Sequence, residues 1–103
     1  CVSAHTAIGR KAGLSASEIM ANRAGTSEDT KAAAAVVFAQ ALNSHLGEVT
    51  SAEFDAVRRA GYDDGEIVEI ITHVGMNFLA NLIGKASQVD IDFPKVSLRD
   101  QAA

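Results

Sequence analysis

The sequence predicts an all-α protein of about five helices followed by an extended C-terminal tail. Pro94 is the only proline, so no hard helix breaker interrupts the residues before it. Glycines and capping residues recur where helices should end and begin, and no stretch alternates with period two for long enough to form a central strand. The 103 residues suffice for one domain with a modest core.

Two short helices open the chain. The first runs through CVSAHTAIGRKAG and ends at Gly13, with basic residues in its last turn that complement the helix dipole. Ser15 or Ser17 caps the second helix, which covers SEIMANRA and stops at Gly25.

Capping residues also mark the third and fourth helices. The segment Thr26–Asp29 starts a long third helix that continues through Leu46, with acidic residues in its first turn and Gly47 after its end. Thr50–Glu53 has the pattern of a capping box, and it starts a short fourth helix that ends at Gly61.

The fifth helix begins at Asp63–Asp64 and precedes the tail. Its apolar residues follow helical spacing, at Ile67, Ile71, Val74, Phe78 and Leu82. After Ala86 the pattern fails, and VDIDFPKVSLRDQAA is predicted to be an extended tail. Phe93 is the candidate anchor by which this tail docks on a neighbouring subunit, so deletion of residues 90–103 should change the assembly seen by light scattering.

Two apolar faces are wide for so small a domain. They span Ala33–Leu46 and Ile67–Ile83. Helices that are apolar over so much of their surface need a cover, which upstream helices outside this sequence or another subunit would provide, and we expect both. The prediction is a single domain over residues 1–103 that forms a homo-oligomer.

Charge and composition argue against several classes of protein. The formal net charge is −4 and no basic stripe exists to neutralise phosphates, so no nucleic-acid partner is expected. No apolar run approaches the length needed to span a bilayer, and no signal peptide is visible. The single cysteine cannot form an internal disulfide, which favours a reducing compartment or a partner thiol outside this sequence. We therefore expect a cytoplasmic protein without a membrane partner.

The chemistry is expected at Cys1 and His5. On a helix these residues lie on one face, with Cβ atoms roughly 5–6 Å apart. At that separation an imidazole can take or return a thiol proton, directly or through a water. Because the thiolate is the reactive form of cysteine, this arrangement suits redox or nucleophilic chemistry. Thr6, beside His5, is expected to bond a backbone carbonyl within the helix.

The same pair also has a less specific interpretation. A free cysteine is often a small buried apolar filler, and a cysteine and a histidine at this spacing are common. A zinc site is less favoured, because His45 and His73 are too far along the chain to count as further ligands. His45, near a helix C-terminus, is expected to be structural.

A polar stripe runs along the last helix. Glu69, His73, Asn77 and Asn81 are spaced four apart. The stripe is either the solvated face of an amphipathic helix or a hydrogen-bonded strip that faces a subunit interface or a cleft, and the spacing leaves both open. Tyr62, at a helix–helix corner, is expected to anchor packing.

Beyond these patterns, the stretch CVSAHTAIGRKAGLSASEI resembles the signature helix of the alkylhydroperoxidase D (AhpD) / carboxymuconolactone decarboxylase family. The redox branch of that family carries C-x-x-C-x-x-x-H, followed by G-L-S/T-x-x-E-I. The second cysteine of this motif falls on Cys1, its histidine on His5, its turn on Gly13–Ser15 and its end on Glu18–Ile19. The resemblance continues over residues 30–94, with an alanine-rich helix, a GYDDGEIVEI stretch and a D-F-P close.

The resemblance implies an all-α subunit that assembles as a dimer, trimer or hexamer. In the redox branch the second cysteine attacks a peroxide and becomes a sulfenic acid, the first cysteine resolves it to a disulfide, and a thiol reductant restores the dithiol. By that likeness Cys1 is the catalytic nucleophile and His5 its proton-relay partner, and no metal, flavin or haem is required. The family's first cysteine and a relay glutamate would precede Cys1, so we expect the sequence to be N-terminally incomplete.

The function that the resemblance implies is that of a thiol-dependent oxidoreductase with an antioxidant role, either a peroxidase acting on small hydroperoxides or a disulfide reductase. One alternative is the decarboxylase branch, which acts on a small lactone acid without a cofactor and typically without a redox cysteine pair, so that Cys1 favours the redox branch. The other is a member that has lost its chemistry and serves as an assembly or binding subunit.

Overall fold

The computed structural model describes residues 1–88, 90 and 92–97. Within these residues the chain forms five α-helices and no strand, which confirms the predicted all-α class. The helices are α1 (Val2–Lys11), α2 (Ala16–Arg23), α3 (Thr30–Ser44), α4 (Ser51–Arg59) and α5 (Asp64–Ser87). Residues 92–97 of the predicted tail are non-helical, and its remaining end, residues 98–103, lies outside the described residues.

Side-chain caps begin four of the helices. Ser15 caps α2 by accepting a hydrogen bond from a backbone N–H, which decides between the two candidate serines. Asp29 caps α3, so this helix begins at the end of the acidic segment. The capping box predicted at Thr50–Glu53 is present, and Asp63–Glu66 forms a second one at the start of α5.

The end of α3 differs from the prediction. The helix ends at Ser44, two residues before the predicted Leu46. Leu46 adopts a left-handed conformation with a φ of 52°, and the N–H of Gly47 donates to the carbonyl of Leu42 at 2.9 Å. This six-residue closure is the Schellman arrangement. It places a leucine, not the expected glycine, at the first left-handed position.

The main core lies where α3 packs against α4 and α5. Its buried side chains are Phe38, Leu42, Val57 and Ile67. The ring of Phe54 meets that of Phe38 edge to face at 5.8 Å, a favoured geometry for aromatic pairs. Tyr62 packs against this core and its hydroxyl donates to the carbonyl of Lys31 at 2.9 Å. Tyr62 therefore anchors packing, as the sequence predicts.

The helices α1 and α2 pack together as a separate hairpin. Ile19 is buried in this hairpin beside Gly9, where an added Cβ would meet Ile19 and Leu14. Gly25, just after α2, has a φ of +87° and lies so close to Gln40 that a Cβ would come within 2.7 Å of its side-chain oxygen. The left-handed backbone favours glycine here, whereas the exposed end of the Gln40 side chain could move aside for a Cβ.

The described tail returns to the first two helices. The N–H of Val96 donates to the hydroxyl oxygen of Ser3 at 2.9 Å, and the guanidinium of Arg23 donates to the carbonyl of Ser97 at 2.8 Å. Ser3 is only 6% exposed as a result. Phe93 remains 39% exposed, so its docking on a neighbouring subunit stays a prediction.

A carboxylate ties α2 to the loop before α3. Glu18 accepts hydrogen bonds from the hydroxyl of Ser27, the amide of Asn22 and the backbone N–H of Glu28. These donors, with Ser27 the largest cause, hold the pKa of Glu18 below its ordinary value of 4.5. Ionised Glu18 therefore stabilises the join between the hairpin and the main core.

We expect Glu18→Gln to lower the melting temperature at pH 7 and to have much less effect at pH 3. A carboxylate whose pKa is depressed by folding contributes stability above its unfolded pKa, near 4.5, and loses it as the pH falls through the lower folded value. Thermal unfolding at the two pH values measures this. Glu28→Gln is the control, because it removes the same charge from a carboxylate that makes no hydrogen bond within the described part of the chain. An equal effect of the two variants would contradict the prediction.

The helix α5 carries two apolar faces. Ile67, Ile70 and Val74 face the main core. The outer face of α5, which comprises Val68, Ile71, Met76, Leu79 and Ile83, is exposed. Among the described residues, α5 is also the one helix long and apolar enough to span a bilayer by length and composition alone. The sequence prediction that no apolar stretch approaches this length is therefore wrong, because scattered polar residues interrupt the apolar run without removing its average apolarity.

Candidate functional site

Cys1 and His5 lie together at the start of α1. Cys1 is the N-cap residue of the helix, and the backbone N–H of His5 donates to its carbonyl at 2.9 Å. Both side chains are exposed. The thiol lies one turn from the imidazole that the sequence pairs with it, and the choice between a reactive cysteine and an apolar filler stays a prediction.

The immediate surroundings of this pair are polar and local. No hydrogen bond joins the thiol to the imidazole in the part of the chain that the structure describes. Thr6 donates to the carbonyl of Val2 at 2.7 Å, which confirms the expected bond within the helix. Ser3, between the two candidate residues in the sequence, lies on a different face of α1 and is covered by the tail through Val96.

The other histidines lie on other helices. His45 is the C-cap residue of α3 and contributes a small lowering of the pKa of Glu53, after the hydrogen bonds from Thr50. His73 lies on α5, with its Nε2 4.0 Å from a carboxylate oxygen of Glu69. Within the described residues no three His, Cys, Asp or Glu side chains converge as metal ligands would.

A groove of about 990 Å³ lies between the end of α2, one face of α3 and one face of α5. His73, Asn77 and Asn81 of the polar stripe line this groove, whereas Glu69 does not. The last three members of the stripe therefore border a groove, but His73 and Asn77 are also exposed to solvent, so both interpretations of the stripe stay open. Cys1 and His5 are not part of the groove.

Sequence reasoning missed the residues that the groove receives from other elements. They are Asn22 and Arg23 from α2, Gln40 and Asn43 from α3, and Lys85 from the last turn of α5. Their convergence depends on how three helices pack, which no local pattern records. The available signal was the polar stripe itself, facing the small side chains of α3 at Ala35 and Ala39.

Comparisons with known proteins add no assignment. No protein-family model, no curated protein and no solved structure matches the chain. The likeness to the AhpD family therefore depends on the motifs in the sequence alone.

Proposed function

We propose that this protein is a thiol-dependent oxidoreductase that reduces small hydroperoxides or disulfides at Cys1, with His5 as its proton partner. One observation carries the proposal: an exposed thiol and an exposed imidazole lie one helical turn apart at the start of α1. The likeness of this helix to the redox-branch motif of the AhpD family supports the same assignment.

The proposed reaction needs only sulfur chemistry. The Cys1 thiolate attacks one peroxide oxygen, the O–O bond breaks, and the leaving alkoxide takes a proton from the imidazolium of His5 to become an alcohol. The sulfenic acid left on Cys1 then reacts with a second thiol, which gives a disulfide and water. A further thiol reduces that disulfide by exchange and restores Cys1.

The second thiol comes from outside residues 1–103. Cys1 is the only cysteine in this sequence, so no other residue of the chain can resolve its sulfenic acid. A cysteine of another chain or segment, as in the family motif, or a small thiol reductant would serve. The protein is further proposed to work in the cytoplasm as a homo-oligomer, and the exposed outer face of α5 supports the assembly.

A thiol count on the full-length protein tests the proposal. Intact mass spectrometry before and after a limiting dose of hydroperoxide should show either the loss of two hydrogens per subunit or an adduct with the added thiol, and a dithiol should reverse the change. The Cys1→Ser variant should show neither. If Cys1 stays unmodified while the peroxide persists, the proposal fails, and small lactone acids become the substrates to examine.

A further inference from the structure

The charges lining the groove between α2, α3 and α5 are all of one sign. The chain holds 13 acidic and 9 basic residues, yet the described residues that line the groove include Arg23 and Lys85 and no carboxylate. On the helices that form the groove, Glu18 of α2 accepts three hydrogen bonds, and a carboxylate oxygen of Glu69 on α5 lies 4.0 Å from Nε2 of His73. In an acidic protein, a concave surface with only cations favours an anionic ligand.

Arg23 is incompletely satisfied in this position. Its guanidinium donates to the carbonyl of Ser97 and makes a long contact of 3.9 Å with the sulfur of Met20. Its Nε is shielded from solvent and has no acceptor among the described residues. A donor left in this state destabilises the protein, and an anion beside the guanidinium would offset both the charge and the missing hydrogen bond.

Amide side chains supply further polar contacts on two walls. Gln40 and Asn43 on α3 and Asn81 on α5 make no hydrogen bond within the described residues. Asn77 donates to the carbonyl of His73 at 2.8 Å, which leaves its side-chain oxygen available. These amide side chains therefore line the groove with donors and acceptors that other described residues leave unused.

The rest of the groove lining is apolar and forms its floor. It comprises Ala35, Val36, Ala39, Ile70, Val74, Phe78 and Leu82. A volume of about 990 Å³ lies at the upper end of the range for small-molecule sites. An inorganic anion would pair with the cations but leave these apolar side chains exposed to water. An aliphatic chain would bury them.

We propose that this groove binds an amphipathic organic anion, a carboxylate head on an aliphatic chain, with the head near Arg23 and Lys85 and the chain on the apolar floor. The site is distinct from Cys1 and His5. The groove proposal and the thiol proposal can therefore fail separately, because the Cys1→Ser variant should bind the same ligand with unchanged affinity.

Calorimetric titration of the full chain with decanoate, below its micelle concentration, tests the charges. Saturable binding is expected, and Arg23→Gln and Lys85→Gln should each weaken it by about tenfold, because each removes a charge-assisted contact. Arg59→Gln, which removes the same charge from the end of α4 outside the groove, should bind as the wild type does. An equal loss of decanoate affinity in all three variants would overturn the proposal.

The chemistry of the ligand is tested with the wild type, which avoids any doubt about folding of the variants. In amide NMR spectra, decanoate should shift signals of the groove residues and leave α1 unchanged. Decanol, which lacks the charge, and inorganic phosphate, which lacks the chain, should both bind at least about tenfold more weakly. Equal binding of either probe, or binding to anionic lipid vesicles in place of monomeric decanoate, would overturn the proposal.

Discussion

Cys1→Ser is expected to abolish peroxide reduction while leaving the fold intact. The hydroxyl is a far weaker nucleophile than a thiolate, so removal of the reacting atom should lower the rate by more than about 1000-fold. Because Cys1 is exposed and its side chain makes no capping hydrogen bond, the change in unfolding free energy should stay within about 0.5 kcal/mol. Peroxide consumption with a dithiol as reductant, and thermal unfolding of the same samples, measure both quantities.

His5→Gln should have a smaller effect of a different kind. A positioned acid–base group contributes roughly 100- to 10,000-fold to a rate, so the variant should react slowly but still reach the same oxidised product by mass spectrometry. His45→Gln, at the exposed end of α3, is the matched control and should leave the rate unchanged. If His5→Gln retains the full rate, the imidazole is not the proton partner of the thiol.

Local chemistry explains which parts of the fold are predictable. The starts of α2, α4 and α5 depend on caps that act within four residues of the chain, so Ser15, Thr50 and Asp63 mark them in the sequence. The end of α3 was misplaced because a leucine, Leu46, takes the left-handed position that glycine normally fills. The local preference of leucine does not reveal such an exception.

The candidate sites divide in the same way. Cys1 and His5 are found from sequence because one helical turn brings them together. The groove needs three helices in their final positions, so its cations, Arg23 and Lys85, have no common signal in the sequence. The contact of the tail with Ser3 and Arg23 joins residues far apart in the chain, and an extended segment has no periodicity from which such a partner could be predicted.

Leu79→Glu is expected to dissociate the proposed homo-oligomer. Leu79 is 57% exposed at the centre of the outer face of α5, and its neighbours on that face are apolar at helical spacing. A helix that is apolar on two faces must bury both of them. A second copy of the chain is proposed to cover the outer face of α5. A carboxylate buried there without a partner costs roughly 3 kcal/mol or more, so the dissociation constant should rise at least about 100-fold.

Light scattering on the full-length protein measures this change against a matched variant. Ala80→Glu adds the same charge to the same exposed helix but lies seven residues after His73, on the polar side. It should keep the wild-type mass, whereas Leu79→Glu should elute as a monomer with unchanged helical content. A wild-type monomer, or equal dissociation of both variants, would show that the outer face is not the interface. Recovery of the wild type only with detergent would instead assign that face to a membrane, since the length and apolarity of α5 suit either cover.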